Sequence, residues 1–440
     1  MFDEVAAGDF GGSPATFGAM DQKDVFAIAL GIAGTPWKVT EVRFDKDLKR
    51  LNIDLDFPPG SRFPHPETGQ PCSVYDSEPR SWRHLNFFQF ECYVNAHVPR
   101  VDGGPAGGVK RVEVPWARPQ SGFSLFLESM IVLLAQSGMT AAEVARVIGE
   151  YPQRVWTVLL HHVERAHQQL ELGSVKVISV DEVCRARGQN YLTIISEPKQ
   201  DGRPSRVLLA VEGRDSQTLG KFADHLRRRG LSPDQIRTIC SDMSPAYIKG
   251  ISEQFAGALL VFDYFHVVQL VSTALDQVRR RERREFPEEL KGVRWAMLKG
   301  EDRLSEEERA TRRRVCAGKL QTGKAFNHLD ALRQIMREPD AAVAERDLQW
   351  WCGWVGRSKI PEMKRAAKTI RNHWDGVVAY LKTRLTNGAA EALNGIIQTV
   401  KRKSRGFRTV EYIVAMIYLV ASNLTFDLPS PTPSTHTNSH

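Results

Sequence analysis

Three aspartates stand where short apolar runs end. Residues 175–180 run into Asp181, residues 236–240 into Ser241-Asp242, and residues 258–262 into Asp263-Tyr264-Phe265-His266. Each run reads as a strand, and in open α/β sheets the carboxyl ends of the strands are where sites are built. One Asp at such a place is usually a turn former or a helix cap. Three along one edge repel one another unless something positive neutralises them. All-oxygen donors of this kind suit Mg²⁺ or Mn²⁺. A fourth acid, Glu391, lies in TNGAAEALNGIIQTVKRKSRGF. On a helix starting near Asn387, Ala390, Leu393, Ile397 and Val400 form the inner face. Glu391, Asn394, Gln398, Lys401 and Arg405 then line an adjacent polar stripe. That stripe suits a metal-bound phosphodiester whose strand continues along the helix. A solvated face with ordinary charge pairs is the plainer alternative.

The elements that must hold these residues can be read from texture. Strands 175–180, 191–195, 207–211, 236–240 and 258–262 alternate with helices 218–229 and 245–254, an α/β pattern. Residues 267–385 are long, charged and helical. The stretch 410–424 is apolar enough for a buried last helix. Upstream, residues 36–116 alternate short apolar runs with Pro and Gly, as in a small β-rich module. Residues 125–166 show three helical segments. Leu127, Met130, Ile131 and Leu134 mark the first, and Gly138 ends it. Thr140 and Glu143 form a capping box for the second, which Gly149 closes. Pro152 opens the third. This is the spacing of a DNA-binding helix-turn-helix, with Gln153, Arg154 and Thr157 exposed on the recognition helix. A helical hairpin that bridges domains has the same periodicity.

Composition narrows the class. The 440 residues carry 60 Lys+Arg against 52 Asp+Glu, a net +8. That balance favours a polyanionic partner, nucleic acid before an anionic membrane. Six scattered cysteines without C-x-x-C fit a reducing cytoplasm rather than a disulfide framework. No apolar stretch approaches the ~20 residues that span a bilayer. Residues 1–20 are Gly/Ala/Ser-rich without a basic signal-peptide start, and Met20 is a second candidate start. The tail 427–440 is Pro/Ser/Thr-rich and expected to be disordered.

Taken in order, four blocks resemble a known family. They are Val180-Asp181-Glu182, then Ser241-Asp242-Met243-Ser244-Pro245, then Phe262-Asp263-Tyr264-Phe265-His266-Val267, then Asn387-Gly388 with Glu391, Asn394, Lys401-Arg402 and Arg405-Gly406-Phe407. The succession resembles the DDE transposases of bacterial insertion sequences, most of all the ISL-three family. Ser81-Trp82-Arg83-His84-Leu85-Asn86-Phe87-Phe88-Gln89, Val98-Pro99-Arg100-Val101 and Val114-Pro115-Trp116-Ala117-Arg118 resemble that family's N-terminal module. The resemblance covers residues 24 to 426. It implies an RNase H-like mixed-sheet α/β catalytic core interrupted by an all-α insertion. The implied parts are a flexible 1–20, a β-rich module resembling a degenerate zinc ribbon at 21–119, and a helix-turn-helix region at 120–170. The core follows at 171–266, with the insertion at 267–385, the end of the core at 386–426 and the tail at 427–440.

The same resemblance implies Asp181, Asp242 and Glu391 as catalytic metal ligands for two Mg²⁺ or Mn²⁺ ions. Asp263, His266 and Asn394 would support them, with Asp263 as the reserve for Asp242. Lys401, Arg402 and Arg405 would join Gln153, Arg154 and Thr157 in binding DNA. The implied function is cleavage and strand transfer at the terminal inverted repeats and at target DNA, by a homo-oligomer in the bacterial cytoplasm at the nucleoid. Where the family carries cysteine pairs, this chain reads His65-Pro66-Glu67-Thr68 and Gly103-Gly104-Pro105-Ala106. His65, Cys72, His84 and Cys92 have the wrong spacing for a ligand set, so no structural zinc is expected. Trp82, Phe87, Phe88 and Trp116 would form the module's core instead. The run Arg279–Arg284 is either a solvated helix face or a DNA contact. Trp350, Trp351 and Trp354, like Trp295, are core or a stacking wedge. Two other functions compete: a catalytically silent helix-turn-helix regulator, and an RNase H-like nuclease that cuts without joining.

Overall fold

The computed structural model describes residues 21–104, 108–186, 190–199 and 202–430. Residues 1–20, Pro105 and Ala106, and 431–440 lie outside them. The chain forms two compact units, Met1–His162 with Phe426–His440, and Val163–Thr425.

The first unit opens with α1 (Gln22–Ala29) and continues through β1 (Lys38–Asp45), β2 (Arg50–Asp56), β3 (Arg62–Pro64), β4 (Pro71–Phe87), β5 (Phe90–Asp102) and β6 (Val109–Arg111). The sheet order is β1-β2-β5-β4-β3, with β6 on β5. Strand alternation turns Leu51, Ile53 and Leu55 of β2, and Cys92, Val94, Ala96 and Val98 of β5, into one core. Trp37, Trp82 and Trp116 meet edge to face inside it, at 4.9 and 5.5 Å between ring centroids. Trp82 and Trp116 are thus core, as expected. Phe87 and Phe88 are not: they are 41% and 79% exposed. Phe87 pairs with Phe90, so Phe88 and Gln89 make the hairpin turn, and Phe88 has φ 53°. The turn breaks the alternation on which a core position depends.

Three helices follow, α2 (Leu125–Gln136), α3 (Ala141–Ile148) and α4 (Pro152–Gln168). The capping box forms as expected: the Glu143 amide donates to Thr140 Oγ1 at 3.2 Å, and the Thr140 amide to Glu143 Oε2 at 2.7 Å. Gly138 and Gly149 take φ of 88° and 76°, so each ends its helix in the left-handed region. A fully buried carboxylate ties the bundle together. Glu128 accepts from Arg118 Nε at 2.9 Å and Ser121 Oγ at 2.5 Å, and meets His162 Nε2 at 2.6 Å. These partners outweigh the cost of burial and hold the Glu128 carboxyl below its usual pKa. The described start of the tail is tied down here too, because Ser129 Oγ donates to the Pro429 carbonyl at 2.7 Å.

The second unit is built on β7 (Val177–Ala186), β8 (Asn190–Glu197), β9 (Arg206–Glu212), β10 (Thr238–Ser241) and β11 (Leu259–Phe262). Their order is β11-β10-β7-β8-β9. β7, β10 and β11 run parallel, while β8 is antiparallel to both its neighbours. Helices α5 (Ser216–Arg228) and α6 (Pro245–Gln254) make the crossovers. Seven helices separate β11 from the last two: α7 (Tyr264–Glu282), α8 (Val293–Leu298), α9 (Glu306–Ala317), α10 (Gln321–Arg337), α11 (Ala341–Arg357), α12 (Pro361–Asn372) and α13 (Trp374–Thr383). They share a core that includes Leu275, Leu329, Trp351, Met363 and Ile370. The chain then returns to the sheet with α14 (Gly388–Lys403) and α15 (Val410–Ala421).

Two expectations change in the helical stretch. The run Arg279–Arg284 divides: Arg280, Arg283 and Arg284 are exposed, Arg281 is half-buried, and Arg279 and Glu282 are buried. Arg279 is buried and bonds Asp276 at 2.7 Å, Arg280 pairs with the same Asp276 at 2.8 Å, and Arg281 pairs with Glu362 at 2.9 Å. The tryptophans divide. Trp351 is buried and its indole donates to the His328 carbonyl at 2.8 Å, while Trp350 and Trp295 are 60% and 56% exposed.

Candidate active site

Strand register explains why the three aspartates come together. Asp242 follows Asp181 by 61 residues, and Thr238 follows its partner Val177 by the same 61. Asp263 follows Asp242 by 21, as Leu259 follows its partner Thr238. The three acids therefore stand at one level across three neighbouring parallel strands, about 4.8 Å apart per strand. One detail differs from the sequence reading. β7 does not stop before Asp181 but runs on to Ala186, pairing Asp181 with Ile194 of β8. Asp181 sits at the sheet edge because its parallel neighbour β10 ends at Ser241, not because its own strand ends.

Asp181 is half-buried and held from two sides. The Glu182 amide donates to its Oδ1 at 2.8 Å, and Asn394 Nδ2 donates to its Oδ2 at 2.6 Å. Burial raises its pKa, and the Asp242 charge adds to that, against the pull of His266 and Asn394. Asp242 accepts the Ser244 amide at 2.9 Å, as a turn former opening α6 does. Asp263 is fully buried and accepts the Asn387 amide at 2.9 Å; its Oδ2 meets His266 Nδ1 at 3.0 Å. That bond is the main cause of a raised His266 pKa, with the charges of Asp242 and Asp181 contributing further. Asp263 thus locks the start of α14 and orients an imidazole towards the acids.

On α14, Ala390, Leu393 and Ile397 face the core as expected. Asn387 Nδ2 donates to the Val180 carbonyl at 3.4 Å, one residue before Asp181. Glu391, one turn before Asn394, is exposed as a residue. Partial burial of its carboxyl, with the charges of Asp263 and Asp181, holds its pKa up. Lys401 Nζ donates to the Cys184 carbonyl of β7 at 2.6 Å, fixing the far end of the helix to the same strand. Arg405 is not on the stripe. α14 ends at Lys403, and Arg405 and Gly406 take φ of 51° and 99°, so the chain turns away. Arg402 and Arg405 are exposed.

Four residues of this site escaped the sequence reading. Glu182 is half-buried, and burial, opposed by Arg214, combines with the Asp242 and Asp181 charges to raise its pKa. Asn387 carries two of the contacts that seat α14. Arg214 lies over the Tyr191 ring at 4.4 Å. Tyr247 is buried and its hydroxyl meets Thr193 Oγ1 at 3.1 Å. Glu182 and Asn387 had a signal, the first in its place beside Asp181 and the second at the head of the block that carries Glu391.

Among the described residues no three His, Cys, Asp or Glu side chains gather as a ready-made metal cluster. The donor chemistry nonetheless fits a hard dication. Asp181, Glu182 and Glu391 all have raised pKa values, and the buried Asn394 Oδ1 beside Asp181 lacks a hydrogen-bond partner. In the first unit, His65 accepts at Nδ1 from the Glu67 amide, Cys72 is half-buried, His84 meets Ser124 Oγ at 2.7 Å, and Cys92 is buried with its thiol pushed up to about 11.

Gln153, Arg154 and Thr157 are exposed at the start of α4. Arg154 pairs with Glu150 at 2.7 Å and lies over the Phe123 ring at 4.1 Å. An acid-edged α/β sheet with a separate helix-turn-helix is the make-up of a DNA-processing protein. Residues 178–417 match the family model of the ISL3 DDE transposases, described as a transposase, and residues 112–163 match the helix-turn-helix domain of transposase family ISL3. The chain belongs to the ISL3 transposase family. It is 26% identical over 396 residues to the transposase for insertion sequence element IS1557 of Mycobacterium tuberculosis, covering 82% of this chain and 86% of that protein. It is 23% identical over 354 residues to the transposase for insertion sequence element IS1001 of Bordetella parapertussis, covering 78% and 85%. No helix among the described residues is long and apolar enough to cross a membrane.

Proposed function

We propose that this transposase binds the ends of its element through α4 and cleaves and joins DNA strands at Asp181, Asp242 and Glu391, on an RNase H-like core interrupted by the helices α7–α13. The observation that carries this reading is the shared level of Asp181 and Asp242 on parallel strands, with the Glu391 helix seated against them through Asn394. The sheet order, with one antiparallel strand beside the central one, supports the RNase H-like assignment. Asp181, Asp242 and Glu391 would hold two Mg²⁺ or Mn²⁺ ions, which supply charge stabilisation for in-line phosphoryl transfer.

The chain's own part is to orient and neutralise. Asn394 and the Glu182 amide fix the rotamer of Asp181. Asp263 fixes His266 and the start of α14, so Glu391 approaches at a set angle. Exposed Arg402 and Arg405 meet phosphates flanking the cut. Water is the first nucleophile and the freed 3′-hydroxyl the second, so no covalent enzyme–DNA intermediate forms. A homo-oligomer acting at the nucleoid would bring two ends and a target together. Incubating the protein with element ends and Mg²⁺, then mapping nicks and joined products, tests this. Asp181→Ala, Asp242→Ala and Glu391→Ala should each abolish cleavage and keep gel-shift binding of the end. Full cleavage by the Glu391→Ala protein would remove Glu391 from the site. Nicks without joined products would favour the nuclease, and binding without nicks the silent regulator.

A further inference from the structure

Between α10, α11 and the turn that follows α11 lies a cavity of about 400 Å³, apart from the acids on the sheet edge. Its wall carries Lys319, Lys324 and Lys359 and no carboxylate. All three lysines are exposed, and none forms an ion pair among the described residues. The floor is different in kind. His328 is 3% exposed and its Nδ1 has no hydrogen-bond partner; the buried Oγ of Ser358 has none either. Buried polar atoms are seldom left unpaired, and here both belong to residues that line one cavity. Burial pushes the His328 pKa down to about 4, so its ring is neutral. Trp354 closes one side. Its ring meets the His328 ring edge-on at 4.4 Å and carries Trp350 stacked at 5.3 Å, which faces solvent.

We infer that this cavity takes an unpaired nucleotide of a DNA strand, its base against Trp354, whose ring Trp350 supports by stacking, and its phosphates against Lys324, Lys359 and Lys319. Each part of the wall answers one part of a nucleotide. Ammonium groups without partners attract phosphate. Flat aromatic faces take any base by stacking. Neutral polar atoms at the floor pair with a base edge, which a phosphate would not need. A duplex cannot offer this, because its bases are stacked and their edges paired. A free anion would leave the tryptophan faces and the His328 and Ser358 atoms unanswered. The inference rests on the transposase reading only for the ligand being DNA.

The test uses the full chain and a fluorescein-labelled dT10 strand, read by anisotropy, beside gel shifts with the duplex element end. Lys324→Ala with Lys359→Ala, and Trp350→Ala separately, change exposed side chains, and melting curves check their folding. Each variant should bind dT10 at least tenfold more weakly and the duplex end within about twofold of wild type. The lysine pair should also lower the salt slope on dT10 by about 1.4, at roughly 0.7 per phosphate contact. An abasic strand of equal length should compete poorly. Unchanged dT10 affinity in both variants, or equal competition by the abasic strand, overturns the proposal while duplex binding and cleavage leave the transposase reading standing. A wild-type chain that binds neither DNA overturns both.

Discussion

At the residue scale the acids oppose the fold that holds them. Asp181 has a raised pKa because burial and the Asp242 charge disfavour its ionised form. A raised carboxyl pKa means that the folded state binds the proton more tightly than the unfolded chain does. Stability is therefore lost as pH rises from the ordinary carboxylate range through the raised value, and the loss is complete above it. Asp181→Asn should raise the melting temperature of metal-free protein at pH 7, with the gain vanishing in acid. Mg²⁺ or Mn²⁺ should raise the wild-type melting temperature by mass action and leave that of Asp181→Asn nearly still. A wild-type melting curve indifferent to both ions would count against a metal site. His266 runs the other way. Its raised pKa stabilises the fold fully below the ordinary histidine value of ~6.5 and is lost as pH climbs through the folded value. The stability gap between wild type and His266→Gln should therefore be widest near pH 6 and shrink towards pH 9. Equal gaps at both pH values would mean that the Asp263 pair carries no charge.

At the element scale α14 is the part to probe. Its amphipathic face was legible in the sequence, because 3.6-residue periodicity alone sets Ala390, Leu393 and Ile397 on one side. Its end was not: the left-handed turn at Arg405-Gly406 takes Arg405 off the stripe. Lys401→Ala removes a bond to β7, worth about 1 kcal/mol, and should slow cleavage more than it weakens binding. Arg402→Ala and Arg405→Ala should do the reverse, each lowering the salt slope of duplex binding by about 0.9 if it meets a phosphate. The helix-turn-helix has its own keystone. Glu128→Ala strands Arg118 and His162 without their partner and should cost about 3–5 kcal/mol in denaturant unfolding. A cost under 1 kcal/mol would mean that the network relaxes through water.

At the scale of the whole molecule, Gln153, Arg154 and Thr157 lie in one compact unit and Asp181, Asp242 and Glu391 in the other. Gln153→Ala with Arg154→Ala should therefore weaken binding of the cognate end by about tenfold or more while metal-induced stabilisation of the second unit persists. Equal losses on cognate and random DNA would make Arg154 a phosphate contact, which its pairing with Glu150 and Phe123 permits. The division was visible as a change of texture, yet the boundary inside α4 at His162 was not, since one helix runs across it.

The sequence by itself determined what depends on neighbours along the chain: the strands, the capping box at Thr140 and Glu143, the inner face of α14, and the order of the acids. Tertiary structure decided what depends on distant partners. Pairing of β7 with β8 carried the strand past Asp181. Two-residue turn geometry brought Phe87 and Phe88 to the surface. Asp276 and Glu362 took up arginines that looked free. Asp263 and Asn387, 124 residues apart, became one lock, and lysines from two helix ends met over His328 and Trp354. Local periodicity fixes which way a side chain points from its own element. It does not say which element will stand opposite, and burial, ion pairing and cavity walls follow from that second choice.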